Sequence, residues 1–238
     1  MAKLTTLGSG SSGNSYILEC NGEILLLELG LPWGDILQGI DYNISNVVGC
    51  LVSHIHRDHS MSIPNAIKAN LSVYSCRGVQ DTYEEVKVLK TDARTRIGGF
   101  RIRPIVVPHS VQCYSFIIEH EAMGKLLFFT DCQDFGFKVP KCNHILAECN
   151  WDSDVVIDNA FEEDYHRSMH ENHLEKMQTL EILKHNYNVD LQNIVLIHMS
   201  STNICRDKTV EFMKNELGFN NIFRAQKGLT LELKDCEF

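Results

Sequence analysis

No run of about 18 apolar residues occurs in the 238-residue chain, so no helix is expected to span a membrane. The amino terminus, Met1-Ala2-Lys3-Leu4-Thr5-Thr6, lacks the apolar core of a secretory signal, and a cytoplasmic location is the expectation. No Cys-x-x-Cys pair is present, which argues against a cysteine-based zinc ribbon. The nine cysteines are odd in number and scattered, and Cys50, Cys113 and Cys149 sit in apolar runs. They read as reduced thiols acting as small hydrophobes. Basic charge is in deficit: 22 Lys and Arg against 31 Asp and Glu give −9. That argues against a broad nonspecific nucleic-acid surface, although bound metal ions would add positive charge where a phosphate docks. One basic group, Arg94, Arg96, Arg101 and Arg103 around Gly98-Gly99, reads as the solvated face of a hairpin. No low-complexity linker or repeat divides the chain, and its 44% apolar and 22% charged composition is ordinary for a globular protein. One domain over residues 1–238 is expected.

What the chain does have is Ser53-His54-Ile55-His56-Arg57-Asp58-His59, three imidazoles and a carboxylate in six positions. Such a set suits borderline divalent metals without any thiolate. The run Val47-Val48-Gly49-Cys50-Leu51-Val52 before it reads as a short buried strand that releases its ligands at a sheet edge. In an extended segment His54 and His56 point the same way, while Asp58 and His59 lie past the strand end, free to face a second metal. Other apolar runs end in the same manner. His109 follows Ile105-Val106-Val107-Pro108, Asp131 follows Leu126-Leu127-Phe128-Phe129-Thr130, and His198 follows Ile194-Val195-Leu196-Ile197. Strand ends are where α/β sheets place their sites.

Elsewhere, Asn21-Gly22 between Tyr16–Cys20 and Glu23–Leu29 signals a hairpin. The Gly/Ser loop before it, residues 8–15, lets the backbone pass close to a ligand or to the metal loop. Further strands are expected at Leu71–Tyr74, Phe100–Val107, Tyr114–Glu119, Lys125–Thr130, Ile145–Ala147 and Ile194–Ile197. Helices are expected over 173–185 and 206–217. The first has Asn172 as N-cap, Glu175 three residues on, and Leu174, Met177, Leu180 and Leu183 on its buried face; the second closes at Gly218. By spacing alone the fold class is layered α/β.

The ordered set His54, His56, Asp58, His59, His109, Asp131 and His198 resembles the ligand series of the metallo-β-lactamase-fold hydrolases. Within that superfamily Leu7-Gly8-Ser9-Gly10-Ser11-Ser12-Gly13-Asn14-Ser15 and Ile197-His198-Met199-Ser200 look most like the YycJ/WalJ-like branch, single-domain members regarded as nucleases. The resemblance implies a four-layer αβ/βα sandwich with the metals at one edge. It implies that His54, His56 and His109 hold one divalent ion, that Asp58, His59 and His198 hold a second, and that Asp131 bridges them. Zn²⁺, Mn²⁺ or Fe²⁺ fits an all-His/Asp set. The activity implied is hydrolysis of a phosphodiester in DNA, RNA or a small molecule by a hydroxide shared between the two ions, with Asp58 counted among the catalytic residues as well as the ligands.

Glu148, after Ile145-Leu146-Ala147, and His173 match an acidic residue and a histidine of the phosphodiesterase members. A carboxylate paired with an imidazole keeps the latter protonated to donate to a leaving oxygen; His170 competes for that role. Two features depart from the family pattern. Glu28-Leu29-Gly30 has a longer acid than usual where the metal loop is braced, and the 66 residues between Asp131 and His198 leave no space for the large inserted domain of RNA-processing nucleases. The alternatives are a hydrolase of a small ester, thioester or lactone, which has no need of the Glu–His pair, and a non-catalytic metal-stabilised binding protein. A flavodiiron-type role is disfavoured by His56, where that class has an acid.

Overall fold

The computed structural model describes residues 1–155 and 171–234. The chain begins with β1 (Ala2–Gly8), β2 (Ser15–Cys20) and β3 (Glu23–Leu27), then α1 (Trp33–Gly39) and β4 (Val47–Leu51). Two short helices, α2 (Arg57–Ser60) and α3 (Ile63–Lys68), precede β5 (Val73–Ser75), α4 (Arg77–Gln80) and β6 (Lys87–Val88). A second series follows: β7 (Thr95–Ile97), β8 (Phe100–Val107), β9 (Cys113–His120), β10 (Gly124–Phe129) and β11 (His144–Glu148). The last described elements are α5 (Lys176–Asn186), β12 (Asn193–Ile197), α6 (Arg206–Leu217), β13 (Ile222–Arg224) and β14 (Thr230–Leu233).

The strands form two seven-stranded mixed sheets, ordered β14-β1-β2-β3-β4-β5-β6 and β13-β12-β11-β10-β9-β8-β7. One apolar cluster lies between them: Leu4, Tyr16, Leu18 and Leu25 of the first sheet meet Phe116, Phe128, Leu146 and Val195 of the second. Tyr16 and Phe128 touch edge to face at 5.9 Å. Ile36, Ile63 and Ala66 bring α1 and α3 onto the same cluster. The outer face of the second sheet, with Leu127, Phe129, Ile145 and Leu196, is covered by Leu180 and Leu183 of α5 and Val210 and Met213 of α6. Helix, sheet, sheet, helix is the four-layer arrangement.

Local chemistry explains the elements. Asn21 (φ 52°) and Gly22 (φ 85°) make the two-residue turn joining β2 to β3 in the register Cys20↔Glu23. β11 is buried along its whole length because it pairs in parallel on both sides and is covered on both faces. α6 stops where Gly218 takes φ 59°. α5 starts later than the sequence suggests. Glu175 is itself the N-cap, accepting from the Met177 and Gln178 amides, while Gln178 Oε1 accepts from the Glu175 amide at 3.0 Å. This reciprocal box moves the start to Lys176, so Asn172 is not the cap and His173 lies before the helix. Met177 is turned out at 45% exposure, whereas Leu174, Leu180 and Leu183 are buried.

The Gly/Ser loop packs backbone against backbone. Asn14 N donates to Asp58 O (2.8 Å), Gly30 N to Asn14 O (2.9 Å) and Leu29 N to His59 O (2.8 Å). A Cβ on Gly30 would fall 1.7 Å from Asp58 O, and one on Gly13 would fall 2.4 Å from Gly30 O. Three segments distant in sequence are thereby locked together without side chains between them. Gly30→Ala should cost at least the ~1–3 kcal/mol of an overpacked interior and displace residues 56–59, read as a lower Tm together with lost metal content.

Candidate metal centre

Parallel pairing decides where the polar residues fall. β3 and β4 run parallel in one sheet; β10, β11 and β12 run parallel in the other, and β8 shares their direction because both it and β10 are antiparallel to β9. Their carboxyl ends open along a common edge in each sheet. Glu28, His54, His109, Asp131, Glu148 and His198 stand at or just beyond those ends. Glu28 (φ 63°), Asp131 (φ 46°) and His198 (φ 50°) have left-handed backbones, a conformation that breaks the strand and costs a non-glycine residue roughly 1–3 kcal/mol.

The seven expected ligands converge in two groups about Asp131, within each of which the ligand atoms all lie within 4.8 Å of one another. In the first, His54 Nε2 and His109 Nε2 lie 3.0 and 3.2 Å from His56 Nδ1, and Asp131 Oδ2 is 3.7 Å from His54 Nε2. In the second, Asp58 Oδ2 is 3.2 Å from His198 Nε2 and 3.4 Å from His59 Nε2, and Asp131 Oδ1 is 3.5 Å from His198 Nε2 and 3.3 Å from His59 Nε2. Two ligand atoms at the usual ~2.0–2.1 Å from a tetrahedral ion would be separated by about 3.3 Å. The nitrogen and oxygen spacings match that separation, and the donors are the hard and borderline types that Zn²⁺, Mn²⁺ and Fe²⁺ accept. The residues present therefore fit a metal in each group.

Electrostatics differ between the groups in the metal-free protein. Burial lowers the pKa of His54 and His56 and pushes His109 down to about 4, leaving neutral rings with free lone pairs. Burial also disfavours charge on His59, but the Asp131 and Glu28 carboxylates outweigh it and hold that ring protonated. For Asp131, burial opposes ionisation and the His198 and His59 rings overcome it, so its carboxyl stays well below the usual range.

A third group, Asp131, Glu148, His173 and His198, adjoins the other two. His173 Nδ1 donates to Glu148 Oε1 at 2.6 Å and lies 3.9 Å from Asp131 Oδ2. The His173 ring stacks on His198 with centroids 5.2 Å apart. Glu148 is fully buried, and its Oε2 accepts from the Cys132 amide at 3.0 Å. Burial works against a charged His173, yet the Glu148 carboxylate and its hydrogen bond raise that ring's pKa to about 9. With both Glu148 oxygens already accepting N–H groups, the proton of the pair sits on His173. His170 lies outside the described residues.

Several supports were not singled out from the sequence. Buried Asn14 places Nδ2 3.1 Å from His59 Nε2 and 3.2 Å from Asp58 O. Asn150 Nδ2 lies 2.9 Å from His198 Nδ1 and donates to His198 O at 2.8 Å. Ser53 Oγ is 2.8 Å from His54 Nδ1, and Asn172 O is 3.2 Å from His109 Nδ1. Glu28, flagged only as a departure, is fully buried, accepts from Ser53 N at 3.1 Å, and faces His59 Nδ1 at 3.4 Å. Only the Gly-Asn-Ser and Ala-Glu-Cys-Asn strings carried any signal for Asn14 and Asn150, a lone amide next to a strand. The Cys113 thiol lies 3.7 Å from His54 Nδ1, and burial raises its pKa well above normal.

No protein-family model and no curated protein matches the sequence. Solved structures do match. YhfI from Bacillus subtilis, a metallo-β-lactamase fold protein, superposes with a TM-score of 0.77 at 17% identity, over 97% of this chain and 98% of that one. The fold is the metallo-β-lactamase fold. A diphosphatase from the PhnP family shares it (TM-score 0.68, 14% identity, 100% of both chains), as does the short form of human tRNase Z (0.65, 13%, 97% and 99%). The architecture thus agrees with the four-layer sandwich expected from the ligand series. Among the described residues no helix is long and apolar enough to cross a membrane.

If His59 takes a metal, binding must expel the proton that the Asp131 and Glu28 carboxylates favour on its ring, because only the neutral imidazole can ligate. Titrating Zn²⁺ or Mn²⁺ into the metal-free protein near pH 7 should release protons into a weakly buffered indicator solution, with apparent affinity falling as the pH is lowered. Proton-neutral binding would show that no protonated His59 is converted into a ligand.

Proposed function

We propose that the chain is a metal-dependent phosphodiesterase, a nuclease acting on DNA or RNA, and that the YycJ/WalJ-like branch is where it belongs. The observation that carries this reading is the His173–Glu148 pair at 2.6 Å, placed against Asp131 between the two ligand groups. Cleaving an unactivated phosphodiester leaves an alkoxide that must be protonated, whereas small thioesters and activated esters have better leaving groups. A pair set beside the ligands is what the first reaction needs and the second does not.

In this reading His54, His56, His109 and Asp131 Oδ2 hold one divalent ion, and Asp58, His59, His198 and Asp131 Oδ1 hold the other. When bound, the two ions supply an activated water and neutralise phosphate charge. The protein does the remaining work. Glu148 orients the His173 ring through Nδ1 and maintains its charge, which leaves Nε2 to hand a proton to the leaving oxygen. Asn14, Asn150, Ser53 and Glu28 fix the ligating rings so that little rearrangement accompanies the reaction. The cytoplasm is the proposed location, and Zn²⁺, Mn²⁺ or Fe²⁺ the proposed metal.

Protein loaded with Mn²⁺ or Zn²⁺ should cut 5′-phosphorylated DNA or RNA, and Asp131→Ala should abolish turnover and reduce metal content. Absence of cutting with two metals bound would favour a small ester or thioester. His173→Ala should retain metal and lose ~10²–10⁴ in kcat on an oligonucleotide, but far less on bis(4-nitrophenyl) phosphate, whose leaving group departs without a proton. Equal turnover of the oligonucleotide by variant and parent would remove His173 from the reaction.

A further inference from the structure

The outer face of the second sheet bears a basic recess that the chemistry at the metal centre does not use. Strand register places Arg96, Arg101, Glu119 and Lys125 in one row across β7, β8, β9 and β10. Arg103 begins the next row, opposite Ile117. Arg94 on one side and Lys138 and Pro140, from the connection after β10, on the other enclose about 140 Å³. Among the described residues, five cations (Arg94, Arg101, Arg103, Lys125 and Lys138) thus line a space with a single carboxylate, Glu119. Glu119 lies 3.7 Å from Arg94 and 3.9 Å from Lys125, and Lys125 also donates to Pro140 O at 2.8 Å. Among the described residues, Arg101, Arg103 and Lys138 have no ion-pair partner.

Two physical arguments make this more than a solvated hairpin face. Arg96 and Arg101 are directly opposite across an antiparallel pair, where like charges destabilise the sheet. In a chain of net charge −9, a local excess of four positive charges (five minus one) is also the reverse of the general balance. A polyanion bound nearby would relieve the like-charge repulsion. Among the described residues no aromatic side chain lines the recess, so they offer no platform on which bases could stack, and the ligand they fit is a backbone phosphate. β8 links recess and metal centre. Arg103 stands four residues before Val107, ~13 Å along the strand, and His109 follows two residues later.

We propose that this recess is an exosite that holds backbone phosphates of a single-stranded nucleic-acid substrate while the bond to be cut lies at the metal centre. The proposal rests on the phosphodiesterase reading and adds to it where the rest of the strand goes. The test uses the metal-loaded protein and a fluorescein-labelled single-stranded DNA of about twelve nucleotides with phosphorothioate linkages, which keep the charge and slow cutting. By fluorescence anisotropy, Arg101→Ala/Arg103→Ala should bind it about tenfold more weakly at low salt. The slope of log affinity against log salt should become shallower by about 1.4, or ~0.7 for each lost phosphate contact on a single strand. Lys138→Glu, in an exposed connection, should shift affinity in the same direction with the Tm unchanged. Turnover of bis(4-nitrophenyl) phosphate, too small to reach the recess, should be the same in all three proteins. Wild-type affinity and slope in the double variant, or no oligonucleotide binding by the parent, would overturn the exosite. Failure of the parent to hydrolyse any phosphodiester would instead overturn the reading beneath it.

Discussion

The site depends on how one buried carboxylate divides its two oxygens. Asp131 is 2% exposed, and it directs Oδ2 toward His54 and Oδ1 toward His59 and His198. Without that negative charge the His59 ring would lose the first of the carboxylates that favour its protonation, and an ionised group in so dry a place is stable only when paired. Thr130 Oγ1 donates to Oδ1 at 2.7 Å, fixing the carboxylate plane. The left-handed backbone at Asp131 turns that plane back toward the sheet edge instead of onward along β10. The two clusters are therefore halves of one electrostatic unit, and the hydrogen-bonded Glu148–His173 pair is its third neighbour.

Much of this was legible in the sequence. Parallel strands covered on both faces read as unbroken apolar runs, so the polar residue after each run marks a sheet edge. That is how His54, His109, Asp131 and His198 could be set on a common rim before any coordinates. The Asn-Gly turn and the Gly218 stop were equally plain, because each needs a left-handed residue. Other features depended on pairing that sequence does not record. Asn14 and Asn150 act through amide contacts with rings 45 and 48 residues away. The start of α5 was misplaced because Glu175 serves as its own N-cap, a role shorter polar side chains usually take. Met177 fell on the solvent side once that start moved. The arginines near Gly98 were visible as charges, but only the strand register turns them into a row.

Strain and order coexist at the rim. Glu28, Asp131 and His198 all hold left-handed conformations that isolated residues avoid. Each is retained because its neighbours leave no alternative: Ser53 N binds Glu28, Thr130 binds Asp131, and Asn150 grips both the carbonyl and the ring of His198. The backbone contacts among residues 13–14, 28–30 and 56–59 perform the same function for the loop that carries His54, His56, Asp58 and His59. Rigidity of this kind holds the nitrogen and oxygen donors of the cluster at fixed spacing.

The cysteines have a consequence of a different sort. Eight are free among the described residues, and seven of them are buried. Burial raises the thiol pKa of all seven, to about 12 for Cys20, Cys50 and Cys142. A protonated, enclosed thiol reacts slowly with alkylating agents and oxidants. Cys205, at the entrance to α6, is the exposed one. Among the described residues it is the natural attachment point for a maleimide dye, which would report on the molecule without modifying the sulfur that lies against His54.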